Sequence, residues 1–151
     1  MIALALLLAG QAAPFDPIRF FAGRTHGDGQ LKEILKSTHD VKVDSLGRVD
    51  RTGMLTLTQR IAEEGQPPRI RYWRLRRAGT NRYVGTLTDA TGPVAAWIDG
   101  PSLHIKYRMK GGLDVDQYLT PMPSGKAVDN RMTIRKLGLV VANMREYIFK
   151  R

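Results

Sequence analysis

Short alternating segments separated by glycine-rich turns run through almost the whole chain and constrain its fold more than any other feature. In SLHIKYRMK, the apolar residues Leu103, Ile105 and Tyr107 alternate with polar residues. The same period of two appears in DVKVD at 40–44 and in MLTLTQRI at 54–61. Because successive side chains of a β-strand point to opposite faces, this pattern predicts antiparallel strands with one apolar face and one solvent-exposed face.

Turn signals recur between these segments. The glycines of RTG, AGTN, KGG, PMPSG and similar signals follow one another every 8 to 14 residues, which is typical of short strands joined by hairpins. A sheet built this way exposes its edges unless it closes on itself. The sequence therefore predicts an all-β protein, a single antiparallel up-and-down β-barrel of about 8–10 strands with no crossover helix. A two-sheet sandwich is the alternative, but no long connecting loop supports it.

One short helix is predicted before the first strand. Asp16 and Pro17 precede the sequence IRFF, and aspartate caps helices while proline suits the first helical position. Gly23 is expected to end this helix within two turns.

The first thirteen residues have the features of an export signal. Residues 2–9 form an unbroken apolar run, which is shorter than the ~20 residues of a membrane span but fits the core of a signal peptide. Small residues at Gly10 and Ala12 predict cleavage near Ala12/Ala13, with residues 1–13 as signal and 14–151 as a single barrel domain. No basic residue precedes the run, and a buried N-terminal strand is the alternative.

The absence of cysteine limits the chemistry of the chain. Gln11 stands where lipoprotein signals of the Leu-Ala-Gly-Cys type carry the lipidated cysteine, so we expect a periplasmic or otherwise exported bacterial protein without a lipid anchor. Disulfides and thiolate zinc sites are excluded.

An excess of basic residues characterises the chain, which has 24 Lys and Arg against 14 Asp and Glu. The segment RIRYWRLRR at 69–77 is the most basic, and its broken alternation predicts a bulge or a strand covered on both faces. A solvated strand face of a basic protein is the alternative. Export and the spacing of the aromatic residues argue against nucleic acid as the partner, so an anionic membrane surface is the predicted one. The residues predicted to contact it are Arg69, Arg71, Arg74, Arg76, Lys106 and Arg108.

Aromatic side chains and one charged pair predict a ligand site inside the barrel. Asp116 and Arg131 are expected on neighbouring strands joined by PMPSG, and we predict that they form the polar anchor of an otherwise apolar pocket. If the barrel packs solid, the same aromatic residues are core and the charged pair is structural. The predicted ligand-binding residues are Trp73, Trp97, Tyr107, Asp116, Tyr118, Asn130 and Arg131.

Metal and catalytic sites are not predicted. The three histidines lack the spacing of metal or haem ligands, so no metal and no cofactor is expected. The serines lack a Gly-x-Ser-x-Gly elbow. Asp114 and Asp116 are the carboxylates on which a hydrolase or isomerase would depend, although such i,i+2 pairs on a strand are unspecific.

Several segments resemble known families. IRFFAGRTHGDGQL resembles the start of lipocalin-type barrels, although Thr25 replaces the tryptophan of their Gly-x-Trp signature. A closer resemblance, covering most of the chain after Pro14, is to an uncharacterised bacterial envelope family, domain of unknown function 3833. It implies a lipocalin-like, or calycin-like, layout and no particular activity. The segments that carry it are FFAGRTHGDG, RYWRLRRAGTNRYVGTLTDATG, GPSLHIKYRM and DNRMTIRKLGLVVANMREYIFKR.

Together these patterns predict a non-catalytic, exported, lipocalin-like barrel that binds an apolar or amphipathic molecule such as a lipid and associates with anionic envelope surfaces. One alternative is a structural or interaction module of the envelope with a solid core and no ligand. The other is a hydrolase or isomerase that uses Asp114 and Asp116.

Overall fold

The computed structural model describes residues 13–151, which form one short helix and ten strands. The predicted signal segment therefore lies outside the described residues, apart from Ala13. Helix α1 spans Pro17–Phe21. The strands are β1 (Gly23–Glu33), β2 (His39–Val49), β3 (Leu55–Glu63), β4 (Arg69–Gly79), β5 (Arg82–Leu87), β6 (Val94–Asp99), β7 (Ser102–Met109), β8 (Leu113–Pro121), β9 (Ala127–Lys136) and β10 (Leu139–Lys150).

The strands form a closed antiparallel barrel. Each strand pairs with its neighbours in sequence, and β1 pairs with β10 from Thr25↔Lys150 to Glu33↔Ala142. Closure removes the two free edges that an open meander of ten strands would expose. The predicted up-and-down barrel is confirmed, and the sandwich alternative is wrong.

Helix α1 begins and ends as the sequence predicts and covers one end of the barrel. The Asp16 carboxylate accepts hydrogen bonds from the backbone N–H of Ile18 at 3.0 Å and of Arg19 at 3.3 Å. Phe21 is buried. Its carbonyl oxygen lies so close to Gly47 that a Cβ placed on Gly47 would overlap it. The glycine therefore lets the helix approach β2 closely. Within the described residues, no helix has the length and apolar character needed to cross a membrane.

The barrel interior is mostly apolar but contains a set of buried polar side chains. Leu103, Val94 and Val128 are fully buried in the main core. Uncharged and charged polar groups interrupt this core, since alternation places them at inward positions of their strands. The buried polar residues with inward parity are Thr25, Ser45, Gln59, Gln117, Asn130 and Glu146.

Strand β4 is regular where the sequence predicts an irregularity. Its register with β3 is unbroken from Arg69 to Leu75, and the one shift with β5 falls between Arg77 and Gly79. Ile70 and Tyr72 lie on the outer face, where they are 49% and 48% exposed. The predicted bulge or double covering is therefore wrong, because these two apolar side chains simply face solvent.

Candidate ligand site in the barrel lumen

A cavity of about 60 Å³ lies inside the barrel next to helix α1. Because a single water needs ~10–15 Å³ of such cavity space, this cavity is large enough for several water-sized groups. Its wall combines apolar side chains with several polar ones, so the barrel is neither solid nor wide open. The lining includes Phe21, Gln59, Arg71, Trp73, Gln117, Asn130 and Glu146.

Gln59 connects two lumen side chains of β4. Arg71 lies opposite Gln59 in the β3–β4 register, and its Nε donates to Gln59 Oε1 at 2.7 Å. Trp73 Nε1 donates to the same oxygen at 2.8 Å. Gln59 in turn donates from Nε2 to Ser45 Oγ at 3.1 Å. This network fixes the guanidinium and the indole side by side in the lumen.

The positive charge of Arg71 lacks a hydrogen-bonded carboxylate. Its side chain is 15% exposed, and Asp89 Oδ2 lies 3.9 Å from Nη1, beyond hydrogen-bond distance. Within residues 13–151, the bond from Nε is the only side-chain hydrogen bond that this guanidinium makes. Burial lowers the pKa of Arg71, but arginine keeps its charge in proteins. The lumen thus contains a cation with unused donors.

Glu146 adds a carboxyl group to the same cavity. It is 5% exposed, and Oε2 accepts a hydrogen bond from Asn130 Nδ2 at 2.9 Å. Burial raises the pKa of Glu146, against the smaller opposing effects of Asn130 and Arg71. Among residues 13–151, two buried side-chain oxygen atoms have no hydrogen-bond partner, Asn130 Oδ1 and Thr25 Oγ1. Such unpaired groups are rare in interiors and mark a place where a ligand or water can bind.

Gln117 is the last polar side chain of this lining, and it contacts the buried Tyr107. Gln117 Nε2 donates to Tyr107 Oη at 3.3 Å, and the Tyr107 ring meets Trp73 edge-on with centroids 5.5 Å apart. Burial raises the pKa of Tyr107 to about 12, so its hydroxyl stays protonated at neutral pH.

Three of the seven predicted ligand-binding residues lie in the lumen, namely Trp73, Tyr107 and Asn130. The other four, Trp97, Asp116, Tyr118 and Arg131, lie on the outer face. The prediction that they line the cavity is therefore wrong. In each strand the alternate positions occupied by apolar residues face the interior, and these four residues lie at the other positions. Whether any of the seven binds a ligand stays a prediction.

Three of the four outward residues, Trp97, Asp116 and Tyr118, belong to a surface network around His104. The His104 ring stacks on Tyr118 at 4.1 Å and contacts Trp97 at 4.5 Å, centroid to centroid. Asp116 bonds His104 Nε2 at 2.7 Å and accepts from Arg135 at 3.2 Å.

Arg131 lies opposite Tyr118, as expected for strands joined by PMPSG. It bonds Asp129 at 3.3 Å instead of Asp116. The predicted Asp116–Arg131 anchor is therefore not formed.

The predicted anionic-contact residues do not form one surface. Arg71 lies in the lumen, so its predicted place on the outer surface is wrong. Strands β5 and β6 separate the arginines of β4 from Lys106 and Arg108 on β7. Arg69 pairs with Asp89 at 2.7 Å, Arg108 with Asp114 at 2.9 Å, and Lys106 with Asp116 at 3.6 Å. The two outward basic residues of β4 that remain exposed are Arg74 and Arg76. Asp114 and Asp116 also lie outside the lumen, each paired with cations.

One group of side chains could supply metal ligands. Glu33, His39 and Glu63 come from three adjacent strands and place ligand atoms within 4.8 Å of one another. His39 Nε2 bonds Glu63 Oε1 at 2.8 Å, and Lys36 pairs with Glu33 at 3.1 Å. Spacing in the sequence does not predict this trio, because only the pairing of β1, β2 and β3 in the barrel brings the three side chains together.

The comparison with family models agrees with the sequence resemblance. A model described as a protein of unknown function, DUF3833, matches residues 8–150. The chain belongs to the DUF3833 family. No curated protein sequence matches it.

Solved structures share the fold of this DUF3833 barrel at low sequence identity. An S-type phycobiliprotein lyase, CPES from Guillardia theta, superposes with a TM-score of 0.70 at 5% identity over 89% of this chain and 90% of its own. Rv2717c from M. tuberculosis has a TM-score of 0.62 at 12% identity over 91% and 99%. A DUF3598 protein of unknown function from Nostoc punctiforme has a TM-score of 0.64 at 10% identity over 95% and 53%. These likenesses establish the lipocalin-like barrel.

The sequence reasoning missed four lumen residues, although the DUF3833 chain contains a signal for them. Gln59 follows Leu55 and Leu57 at the same parity, and Glu146 shares the parity of the apolar positions of β10. A polar residue at an apolar position of an alternating strand indicates an inward polar group. The missed residues are Gln59, Arg71, Gln117 and Glu146.

Proposed function

We propose that this DUF3833 barrel binds a small amphipathic molecule whose anionic group contacts Arg71 and whose apolar part fills the lumen. The observation that carries the proposal is the guanidinium of Arg71, which is mostly buried and makes no hydrogen bond to a carboxylate. A buried charge is costly unless it is paired. Asp89 lies at ion-pair distance from Arg71, but the same carboxylate oxygen is hydrogen-bonded to Arg69. An anionic oxygen group on a ligand would supply the hydrogen-bonded partner that Arg71 lacks.

The neighbouring polar groups would orient such a ligand. Arginine donates two parallel hydrogen bonds to a carboxylate or a phosphate through its planar fork. Asn130 Oδ1 has no hydrogen-bond partner among residues 13–151 and belongs to a residue that lines the cavity, so it can accept a hydrogen bond from a hydroxyl or amide of the ligand. Apolar walls with a few polar groups are the usual composition of a small-molecule site.

The size of the cavity limits the ligand. At about 60 Å³ the space is far below the ~300–1,000 Å³ of drug-sized sites. A carboxylate with a short apolar tail fits most readily. A longer tail requires Phe21 and helix α1 to move, because they close one end of the cavity.

The cellular location is a second part of the proposal. We propose that residues 1–13 direct export to the bacterial envelope. We also propose that the protein is not lipid-anchored, because position 11 is glutamine and not the cysteine that would carry a lipid. The apolar run and the small residues near Ala12 support this. N-terminal sequencing of the protein from each cell fraction tests it, since a chain that retains Met1 in the cytosolic fraction would contradict export.

The lumen site is tested by comparing two probes of equal length, hexanoate and hexanol. The chain has two tryptophans, and Trp97→Phe leaves Trp73 as the lumen reporter. In this background we expect hexanoate to change Trp73 fluorescence saturably and to bind more tightly than hexanol. Loss of a hydrogen bond to a charged group is worth ~1.5–3 kcal/mol, so Arg71→Met is expected to weaken hexanoate binding about ten- to hundredfold.

The matched control is Arg74→Met, which removes an outward arginine from the same strand. It should leave hexanoate binding unchanged. Equal hexanoate affinity in both variants would overturn the role of Arg71. Absence of any saturable response, together with a bare polypeptide mass in native mass spectrometry, would favour the solid-core module instead.

A further inference from the structure

Two adjacent hairpin tips display exposed aliphatic side chains at the end of the barrel opposite helix α1. The β1–β2 and β9–β10 turns lie side by side because β1 pairs with β10, and Ile34 N donates to Val141 O at 2.8 Å. We refer to the exposed residues of these tips as the apolar rim. Its members, with their exposed fractions, are Ile34 (61%), Leu35 (98%), Leu137 (92%), Leu139 (73%) and Val140 (45%).

The conformation of two rim leucines is unfavourable for the isolated barrel. Leu35 has φ 60 and Leu137 has φ 51, in the left-handed region where a Cβ contacts the following carbonyl. Leu137 and Gly138 form a two-residue hairpin turn with positive φ at both positions, where Asn-Gly is preferred. Neither backbone geometry nor packing within the barrel favours leucine at these tips, and a contact outside the barrel would explain both residues.

Basic side chains flank the apolar rim. Lys32 and Lys36 belong to the β1–β2 hairpin, and Lys136 precedes Leu137 directly. Lys110 lies in the β7–β8 turn, on the next hairpin around this end. All four are exposed, and the ion pair of Lys36 with Glu33 is at the surface. Glu33 and Glu63 lie at the same end, on the side of β3, and Glu33 is paired with Lys36. Apolar tips with lysines on the β1–β2, β9–β10 and β7–β8 hairpins match a bilayer surface, where anionic headgroups cover an apolar interior.

We propose that the apolar rim inserts into the headgroup region of a bilayer that contains anionic lipids, while Lys32, Lys36, Lys110 and Lys136 contact lipid phosphates. The formal net charge of +10 favours an anionic surface and opposes docking of a second, equally charged copy. This proposal does not depend on the lumen ligand. It assigns membrane contact to hairpin tips that the sequence analysis did not consider.

Flotation with lipid vesicles tests the proposal. The full chain without residues 1–13 is mixed with vesicles of phosphatidylcholine alone or mixed with phosphatidylglycerol. We expect binding to the anionic vesicles that weakens with salt, as surface electrostatic attraction does. Leu35→Asn with Leu137→Asn should weaken it roughly tenfold or more. Lys36→Gln with Lys136→Gln should weaken it about tenfold, and only on anionic vesicles.

The leucine variant distinguishes docking from misfolding. Asparagine tolerates the left-handed region better than leucine, so Leu35→Asn with Leu137→Asn should fold with equal or greater stability while binding less. The matched control is Val49→Thr, which removes an exposed apolar side chain at the opposite end and should bind like the wild type.

Wild-type protein that fails to float with anionic vesicles would overturn the proposal, as would equal binding by the leucine variant. A dimer that forms without vesicles and is lost in that variant would assign the rim to a second copy and also overturn it. Hexanoate binding in solution is a separate readout, so failure of the lumen proposal and failure of this one are distinguishable.

Discussion

Gly27 of β1 faces the carboxylate of Glu146 on β10, and a Cβ on Gly27 would lie 2.0 Å from Glu146 Oε1. Gly29 is the next residue on the same inward face, and a Cβ placed on it would lie 3.1 Å from Glu146 Cβ. Two glycines on one strand thus make the room in which the only buried glutamate among residues 13–151 is held. This relationship links the closure of the barrel to the chemistry of its lumen.

The first prediction concerns this contact. Gly27→Ala should lower the free energy of unfolding by ~1–3 kcal/mol, because the new methyl group displaces the Glu146 side chain from its bond with Asn130. Urea denaturation measures the loss. Gly92→Ala, where nothing lies within 4 Å of the virtual Cβ, should change stability by less than ~0.5 kcal/mol. In a Glu146→Ala background the cost of Gly27→Ala should shrink, and an undiminished cost would rule out the contact as its cause.

The second prediction concerns pH. Burial raises the pKa of Glu146, so the folded state holds this proton more tightly than the unfolded state does. The resulting stabilisation is fully present below the pKa that Glu146 has in the unfolded state, and it is lost as pH rises through its pKa in the folded state. Glu146→Gln, which keeps an oxygen acceptor for Asn130, should therefore gain stability relative to the wild type as pH rises. Urea denaturation of both proteins from pH of about 4 to about 8 measures this, and a pH-independent difference would contradict it.

The third prediction concerns the helix that covers the barrel end. Asp16 both caps helix α1 and pairs with Arg77 Nη2 at 2.5 Å. Asp16→Ala should cost about 1 kcal/mol of unfolding free energy through the lost cap. Asp16→Asn keeps a capping oxygen and loses the charge, so it should cost less. Arg77→Gln isolates the ion pair, and a loss in Arg77→Gln equal to that in Asp16→Ala would show that the cap contributes nothing.

The fourth prediction concerns His26 on the outer side of β1. Its ring bonds Asp44 at 2.7 Å and Asp28 at 3.0 Å, and these bonds, led by that to Asp44, raise the pKa of His26 against a smaller effect of burial. NMR titration should place this pKa above the ordinary value of about 6.5. Asp44→Asn should lower it more than Asp28→Asn does, and the reverse order would show that Asp28 is the main partner.

Protonated His26 also stabilises the fold. Because its folded pKa is raised, its contribution is complete below the unfolded value of about 6.5 and is lost as pH rises through the folded pKa. His26→Gln should therefore lose more stability at acidic than at alkaline pH. A bond to Glu63 also raises the pKa of His39, the first residue of β2, so His39→Gln should depend on pH in the same direction.

Local sequence patterns were sufficient to predict the barrel, the hairpin connections and the short helix. Each depends on neighbours in sequence: side chains of a strand alternate, glycines mark turns, and Asp16 with Pro17 starts a helix. The family resemblance was readable for the same reason, because it consists of continuous segments. The same alternation would have placed Asp116 and Tyr118 outside the barrel, since Val115, Gln117 and Leu119 occupy the inward parity.

The tertiary structure alone decided which polar groups meet. Gly27 and Glu146 are far apart in the chain and become neighbours only because β1 closes on β10, and Gln59 reaches Arg71 only through the β3–β4 register. The apolar rim likewise requires closure, which brings the first hairpin tip beside the last. Local patterns specify strands because they depend on backbone geometry, whereas a site depends on the distance between strands in space, which is set when the barrel closes.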